Sequence, residues 1–454
     1  MAEYRPDPKI LTLGESFFDA VQPAAFPLAV PRFLNRRAAR SVGLDLDEAG
    51  WERHFHRFEP LPGNLEGPLA LRYHGHQFRN YNPDIGDGRG FLFAQLRDER
   101  GRLLDLATKG SGQTPYSRFG DGRLTLKGGV REVLATEMLE ALGVNTSKSF
   151  ALFETGEPLQ RNDEPSPTRS AVLTRLSHGH IRIGTFQRFA FLDDREALRA
   201  LSTYCLTELF DERDAGVQRL FELVLDRAAV LAASYLVAGF VHGVLNSDNI
   251  NITGESFDYG PWRFTPYWDE AFVAAYFDHA GLYAFGVQPE AIHWNLAQLA
   301  GCLSLIADRE LLESALNEWP ALFQKALIAA LLGRLGIVAE GEDADLPLAG
   351  AMLAALRTHS VTIDRFFFDW RGGRRPENRP AAEFEALAKA LEDRQPAPGA
   401  LDHPYWSEAE PCSMHIEEVE AIWADIAERD DWTAFEAKIA AIRRMSDAMT
   451  PPCA

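Results

Sequence analysis

The apolar positions of this chain change rhythm near residue 190. From 71 to about 190 they come in short runs broken by glycine and charged turns; beyond about 192 they recur every three or four residues. The first texture predicts strands. Gly90-Phe91-Leu92-Phe93-Ala94-Gln95-Leu96 reads as a strand, Asp98-Glu99-Arg100-Gly101 as a turn, and residues 103–109 as a second strand ending on Lys109. Residues 171–176 give another short strand. Val130, Val133, Leu134, Met138 and Leu142 share one helical face, so a helix over 130–142 is expected, stopped by Gly143. A further helix is predicted over 31–42, in a mixed stretch with several prolines.

The second texture predicts helices. A long apolar helix over 216–241 leads straight into His242, residues 292–338 are helical, and a last helix lies near 416–445. Gly341-Glu342-Asp343-Ala344-Asp345 reads as an acidic break and Arg371-Gly372-Gly373-Arg374-Arg375-Pro376 as a linker. Phe366, Phe367, Phe368 and Trp370 are assigned to the core. There is no long repeat, but one tetrapeptide occurs twice, as Gly86-Asp87-Gly88-Arg89 and as Gly120-Asp121-Gly122-Arg123.

Composition narrows the function classes. The 454 residues are 46% hydrophobic and 25% charged, as in a soluble globular protein of two or three domains. A formal charge of −20 argues against broad nucleic-acid binding, which needs a basic face to displace counterions, yet leaves room for a local basic pocket. Cys205, Cys302, Cys412 and Cys453 lie far apart with no C-x-x-C spacing, so neither a zinc site nor a secreted disulfide framework is expected. The N-terminus has no apolar targeting segment, and the longest apolar stretch, 228–241, is too short to span a bilayer. A cytoplasmic monomer with no membrane partner is the expectation.

The candidate chemistry centres on His242-Gly243-Val244-Leu245-Asn246-Ser247-Asp248-Asn249, followed by Asp258-Tyr259-Gly260. This is the frame of a protein-kinase catalytic loop and metal triplet, H-R-D-x-x-x-x-N and then D-F-G. Val244 falls where the catalytic aspartate belongs, and valine takes no proton. Asn249 and Asp258 offer the oxygen ligands that Mg²⁺ or Mn²⁺ prefers, and Asp248 is the nearest group able to accept a proton. Gly86-Asp87-Gly88-Arg89-Gly90 precedes a strand, where glycines let backbone N–H groups approach phosphate; a plain tight turn has the same sequence. Lys109 at its strand end would neutralise phosphate, and Glu132, near the start of the next helix, is its expected partner. Arg175 and Arg182 would clamp phosphate if a cleft brings them together, although spacing alone favours two surface charges. The pairs His54/His56, His74/His76 and His178/His180 have no third ligand nearby and read as structural histidines.

The order glycine loop, strand, turn, strand with a terminal Lys, and helix is that of a kinase small lobe. The expected class is therefore α+β: a protein-kinase-like two-lobed fold with a β-rich small lobe, a helical large lobe and a helical C-terminal extension. Residues 1–70 form an N-terminal extension, 71–191 the nucleotide-binding small lobe, 192–300 the catalytic large lobe with its metal-binding loop, and 301–454 a helical C-terminal region.

The segments Gly75-His76-Gln77-Phe78, Gly86-Asp87-Gly88-Arg89, Lys109-Gly110-Ser111-Gly112-Gln113-Thr114-Pro115-Tyr116-Ser117-Arg118, His180-Ile181-Arg182 and the His242 loop together resemble the SelO (YdiU) family of protein adenylyltransferases, over about residues 10–300. The resemblance implies a pseudokinase fold that binds ATP in a flipped orientation and moves AMP to a Ser, Thr or Tyr hydroxyl of a protein. It implies nucleotide contacts from Gly86, Gly88, Arg89, Lys109, Asp121 and Gly122, and phosphate contacts from Arg175 and Arg182. It pairs Glu132 with Lys109, gives Asn249 and Asp258 the metal (Asp258 also touching nucleotide), and makes Asp248 the proton acceptor.

Two departures qualify it. Arg79 replaces a glycine common in the family, which matters for local backbone freedom. Many members carry a C-terminal Cys or selenocysteine with a partner Cys after the Asp-Tyr-Gly segment; here residues 261–290 hold no Cys, so Cys453 has no such partner there. The competing readings are a non-catalytic ATP-binding scaffold, an atypical kinase using Asp248 as base, and transfer of UMP with manganese.

Overall fold

A computed structural model describes residues 2–162, 164–376 and 381–449. It is a mixed α/β chain with a sheet region followed by many helices. The N-terminal part comprises β1 (Phe18–Ala20), β2 (Val30–Leu34), α1 (Arg36–Ser41), α2 (Glu48–Phe55), β3 (Leu69–Leu71) and the hairpin β4 (Gly75–Gln77) with β5 (Asn80–Asn82). Next come β6 (Leu92–Arg97), β7 (Leu103–Lys109), β8 (Leu124–Thr125), α3 (Leu126–Ala141), β9 (Lys148–Leu159) and β10 (Thr168–Ser177). One antiparallel sheet runs β1-β3-β6-β7-β10-β9-β2, with β8 against β10.

Alternation along the strands divides the sheet into two apolar faces. Leu92, Leu103, Leu152 and Leu173 join the core that includes Val130, Val133 and Leu134 of α3. Phe93, Leu104, Leu106, Phe153 and Val172 point the other way, into a core with Trp51 and Phe55 of α2. Both faces are therefore covered, and β7 is buried along its whole length. That burial carries Lys109 into the interior at the strand's end.

Helix α3 begins four residues before the expected 130. The Thr125 hydroxyl caps it by accepting the Gly128 N–H at 3.1 Å. Its first turns contain Gly128 and Gly129, which carry no apolar signal; a Cβ on Gly129 would sit 2.4 Å from Leu152. The glycine is there so that helix and sheet can approach.

The helical part comprises α4 (Ile183–Phe191), α5 (Arg195–Tyr204), α6 (Val217–Ala238), the two-strand ladder of β11 (Phe240–Val241) and β12 (Arg263–Phe264), α7 (Gln288–Leu303), α8 (Arg309–Asn317), α9 (Trp319–Leu335), α10 (Glu342–Leu356), α11 (Ile363–Asp369), α12 (Ala381–Ala390), α13 (Ile416–Arg429) and α14 (Thr433–Met449). Phe366, Phe367, Phe368 and Trp370 are buried. Among the described residues no helix is long and apolar enough to cross a membrane.

Several expectations change. Residues 31–42 are not one helix: β2 runs through Pro31, which the sheet edge tolerates because no ladder N–H is needed there, and α1 starts only after Asn35, whose side chain accepts the Ala38 N–H. The helix over 216–241 ends at Ala238, because Gly239 turns left-handed at φ 70° and feeds β11. Residues 341–345 are the first turn of α10, where acidic side chains complement the helix dipole, and Asp345 accepts the Glu340 and Gly341 N–H groups. Residues 371–376 are no free linker. Arg371 is 2% exposed and donates to the carbonyls of Gly333, Arg334 and Ala400, capping the end of α9. The last helix is two, α13 and α14. Cys453 lies outside the described residues.

Candidate active site

The glycine loop 86–90 lies between the end of β3 and β6 and is fixed by its own polar groups. The Asp87 carboxylate accepts the Leu71 N–H at 3.0 Å, and the Asp87 N–H donates to the Leu71 carbonyl at 3.1 Å. Segment 110–122 packs over it: the hydroxyls of Thr114 and Ser117 donate to the carbonyls of Asp87 and Gly88, each at 2.5 Å. A Cβ on Gly86 would meet the Tyr116 ring at 2.5 Å, so this glycine is a close-approach position. In the second copy of the tetrapeptide, Gly122 has φ 70° and a Cβ there would sit 2.3 Å from Gly112. Asp121 pairs with Arg161 through bonds of 2.8 and 3.0 Å.

At the end of β7, Lys109 forms an ion pair with Glu132 of α3, and its ammonium lies 2.8 Å from Asp258 Oδ1. Arg175 on β10 reaches the same Oδ1 at 3.3 Å. Burial alone would raise the Asp258 carboxyl; Lys109, Arg175 and Arg89 outweigh it and hold the group well below the usual carboxylate range. Asp258 has φ 63°, an uncommon left-handed conformation for a residue with a side chain, which places it at this convergence of charges. Arg182, at the start of α4, is buried over the Tyr73 ring (4.1 Å) and donates to Asp87 and to the Asp248 carbonyl, both at 3.3 Å.

The loop after β11 is braced from three sides. The hairpin β4–β5 donates to it from the His76 N–H to Ser247 Oγ (2.7 Å) and from the Phe78 N–H to Asn246 Oδ1 (2.9 Å). Gln187 of α4 accepts from the Ser247 hydroxyl at 2.5 Å, and Asn295 of α7 donates to the Leu245 carbonyl at 2.8 Å. Asp248 is buried, its Oδ1 has no protein partner, and burial pushes its carboxyl up to about 6. His242 is packed among Tyr235, Phe240 and Tyr259, with Nε2 3.1 Å from the Phe257 carbonyl oxygen, so it holds the loop rather than facing the cleft. At the hairpin tip, Phe78 and Arg79 have φ 49° and 62°. The arginine thus occupies a backbone conformation that favours glycine.

These elements enclose a cleft of about 690 Å³. Gly86, Gly88, Arg89, Lys109, Asp121, Gly122, Arg175, Arg182, Asp248 and Asp258 all line it. Two of the sequence-derived candidates do not. Glu132 sits behind Lys109, and Asn249 is engaged through Nδ2, which donates to the Val244 carbonyl at 3.0 Å and leaves its carbonyl oxygen for another partner. Seven Lys and Arg side chains against four Asp line the cleft, so it is locally cationic in a strongly acidic chain. That excess suits a polyphosphate.

The donor set also bears on a metal. Among the described residues no group of three or more His, Cys, Asp and Glu could hold one, so the H-x-H pairs build no such centre. Their rings serve the fold: His56 bonds to the Leu28 carbonyl, His74 to the Tyr81 hydroxyl and His180 to Asp105. Asn249 and Asp258 are hard oxygen donors, and both cations at Asp258 take Oδ1, which leaves Oδ2. Two protein oxygens fit Mg²⁺ or Mn²⁺ shared with phosphate oxygens better than a resident protein cage.

Sequence reasoning missed Tyr73, Gln77, Phe119 and Arg161, which also line the cleft. Phe119 adjoins a quoted motif and Gln77 lies inside one. Tyr73 and Arg161 have no local pattern, because only the fold brings them here.

A family model described as protein adenylyltransferase SelO matches residues 1–397. A protein nucleotidyltransferase YdiU from Synechocystis sp. is 40% identical over 457 residues, spanning 94% of this chain and 96% of that protein. Its namesake from Gloeobacter violaceus is 40% identical over 463 residues, spanning 96% and 95%. Another, from Azotobacter vinelandii, is 36% identical over 401 residues, spanning 87% and 79%.

Proposed function

The chain belongs to the SelO family and is a nucleotidyltransferase, and from that premise we propose that it transfers AMP from ATP to Ser, Thr or Tyr hydroxyls of proteins. The observation that carries this reading is the cationic cleft in which Lys109, Arg175, Arg182 and Asp258 converge and which is also lined by Asp248, a buried carboxylate whose Oδ1 has no protein partner. We read the sheet region and the helices after it as the two lobes of a protein-kinase-like fold, with Val244 marking the site of the lost base.

The acceptor hydroxyl attacks the α-phosphorus. A new P–O bond forms, the bond to the α,β-bridging oxygen breaks, and pyrophosphate leaves with the electron pair. The hydroxyl proton passes to the Asp248 carboxylate. With a pKa of about 6, that group is about nine-tenths ionised at pH 7 and still basic enough to accept a proton in the transition state. Arg175, Arg182 and Lys109 hold the phosphates and offset charge on the departing pyrophosphate. Glu132 keeps Lys109 aimed. Mg²⁺ or Mn²⁺ held by Asn249 and Asp258 supplies further charge neutralisation on the polyphosphate when bound.

The test is incubation with α-labelled or γ-labelled ATP in Mg²⁺ or Mn²⁺. Label retained on protein from the α position alone supports the proposal. Label from the γ position alone replaces it with a kinase, and ATP binding without label replaces it with a scaffold. Stronger labelling from α-labelled UTP in Mn²⁺ would reassign the donor.

A further inference from the structure

Helix α3 holds Glu132 against Lys109 at the back of the cleft, but its other sides are held by α13 and α14, which lie beyond the 397 residues matched by the family model. Arg443 of α14 gives Glu137 of α3 two bonds, Nε to Oε2 at 2.8 Å and Nη2 to Oε1 at 3.1 Å. Glu137 is 4% exposed, and Asn35 Nδ2, at 3.4 Å, is a far weaker donor to it. On α13, Glu420 lies 2.7 Å from the Lys127 ammonium and 3.6 Å from Arg131. Arg131 also donates to the Trp262 carbonyl at 3.0 Å, four residues past Asp258. The buried stripe Phe435, Ile439, Ile442 and Met445 of α14 belongs to the same core as Val130, Val133 and Leu134 of α3. The hairpin is anchored again where Arg32 and Arg169 reach Asp430 at 3.1 and 2.7 Å.

The geometry makes α3 a lever. Glu132 and Glu137 are five residues apart on one rigid helix, so their side chains leave the axis roughly 140° apart. A rotation that releases Glu137 from Arg443 turns Glu132 away from Lys109 by the same angle. A buried carboxylate that loses its charged partner pulls its helix toward water, because leaving it unpaired is costly.

We propose that α13 and α14 set the rotation of α3, with Arg443 acting through Glu137 as a positioning residue for the Lys109–Glu132 pair. This rests on the reading that Lys109 holds the nucleotide. The nearest comparable arginine, Arg444, bonds instead to Glu408 at 2.6 Å and has no path to α3.

The experiment uses the full chain and the variants Arg443→Ala, Arg443→Lys and Arg444→Ala. It reads amide hydrogen exchange over residues 126–141, calorimetric ATP affinity with Mg²⁺, and label transfer from α-labelled ATP. Losing a charged double hydrogen bond should speed exchange around Glu132 and weaken ATP binding, each by about tenfold. Transfer should fall with them. Arg443→Lys should recover part of each, since one bond can re-form, and Arg444→Ala should match the parent chain. Should Arg443→Ala not fold, Arg443→Lys still shows an intermediate loss. Unchanged exchange over 126–141 and unchanged ATP affinity would overturn the proposal. So would a rise in exchange spread evenly over the chain with no rescue by lysine. Exchange and ATP affinity read the lever even if the parent chain transfers no AMP, so failure of the proposed activity stays separate.

Discussion

Replacing Lys109 by methionine should strand one carboxylate and spare another. The side chains of Lys109 and Glu132 are 5% and 1% exposed. Asp258 would keep Arg175 at 3.3 Å, whereas Glu132, whose Oε2 already lacks a partner, would lose the ammonium at Oε1 as well. Removing one member of a buried ion pair costs about 3–5 kcal/mol. The lower end, about 3 kcal/mol, is expected, because Lys109 is shared between Glu132 and Asp258 and Asp258 keeps its other cation. In the parent chain Glu132→Gln should cost less, about 1–2 kcal/mol, since Lys109 retains Asp258 at 2.8 Å. In the Lys109→Met background the same change removes the stranded charge and should restore about 1–2 kcal/mol. The double variant is then more stable than the sum of the singles by about 2–4 kcal/mol. Urea unfolding followed by tryptophan fluorescence measures all four corners of the cycle. Additivity within about 0.5 kcal/mol, or a Lys109→Met chain as stable as the parent, would refute the reasoning. All three variants should bind ATP weakly, so recovered stability would come without recovered function.

Glu255 accepts the His178 N–H at 2.9 Å, and burial pushes its carboxyl from 4.5 up to about 7. An acid whose folded value is raised costs stability once ionised; the cost is absent below about pH 4.5 and complete above about 7, where it approaches 3 kcal/mol. Glu255→Gln should therefore raise the thermal midpoint at pH 8 and change it little at pH 4.5; an equal shift at both would count against it. Asp248→Asn should slow transfer by about 100-fold or more while ATP affinity, read by calorimetry, stays within about threefold. A parallel loss of affinity would mean that Asp248 binds rather than reacts. Gly86→Ala should weaken ATP binding by displacing the Tyr116 ring from the glycine loop, and unaltered affinity would remove that loop from the nucleotide site.

Legibility followed the kind of signal each residue left. β7 and its terminal Lys109 were readable because an apolar run bounded by a turn has few other solutions. The start of α3 was not, since Gly128 and Gly129 serve packing against Leu152 and add nothing to the helical pattern. Residues 341–345 and 371–376 looked like breaks because charge and glycine usually mark solvent. Here Asp345 and Arg371 are buried caps, and only the fold supplies the backbone groups they satisfy. In the cleft, Lys109 and Glu132 were readable as partners from element order. By spacing alone Arg175 and Arg182 read as surface charges, and only the family resemblance gave them to phosphate; β10 and α4 bring them to Asp258 and Asp87. Tyr73 and Arg161 left no local trace at all, since Tyr73 lies against Arg182, from a distant part of the chain, and Arg161 pairs with Asp121, in a separate segment.

The most direct test of the central claim is the mass of the modified product. The parent chain and Asp258→Ala are each incubated with ATP, Mg²⁺ or Mn²⁺ and a mixture of acceptor proteins, and modified peptides are sequenced by mass spectrometry. An adenylyl group on Ser, Thr or Tyr in the parent reaction, absent with Asp258→Ala, is the predicted result. A phosphoryl group in its place, or an adenylyl group that survives Asp258→Ala, would contradict the account.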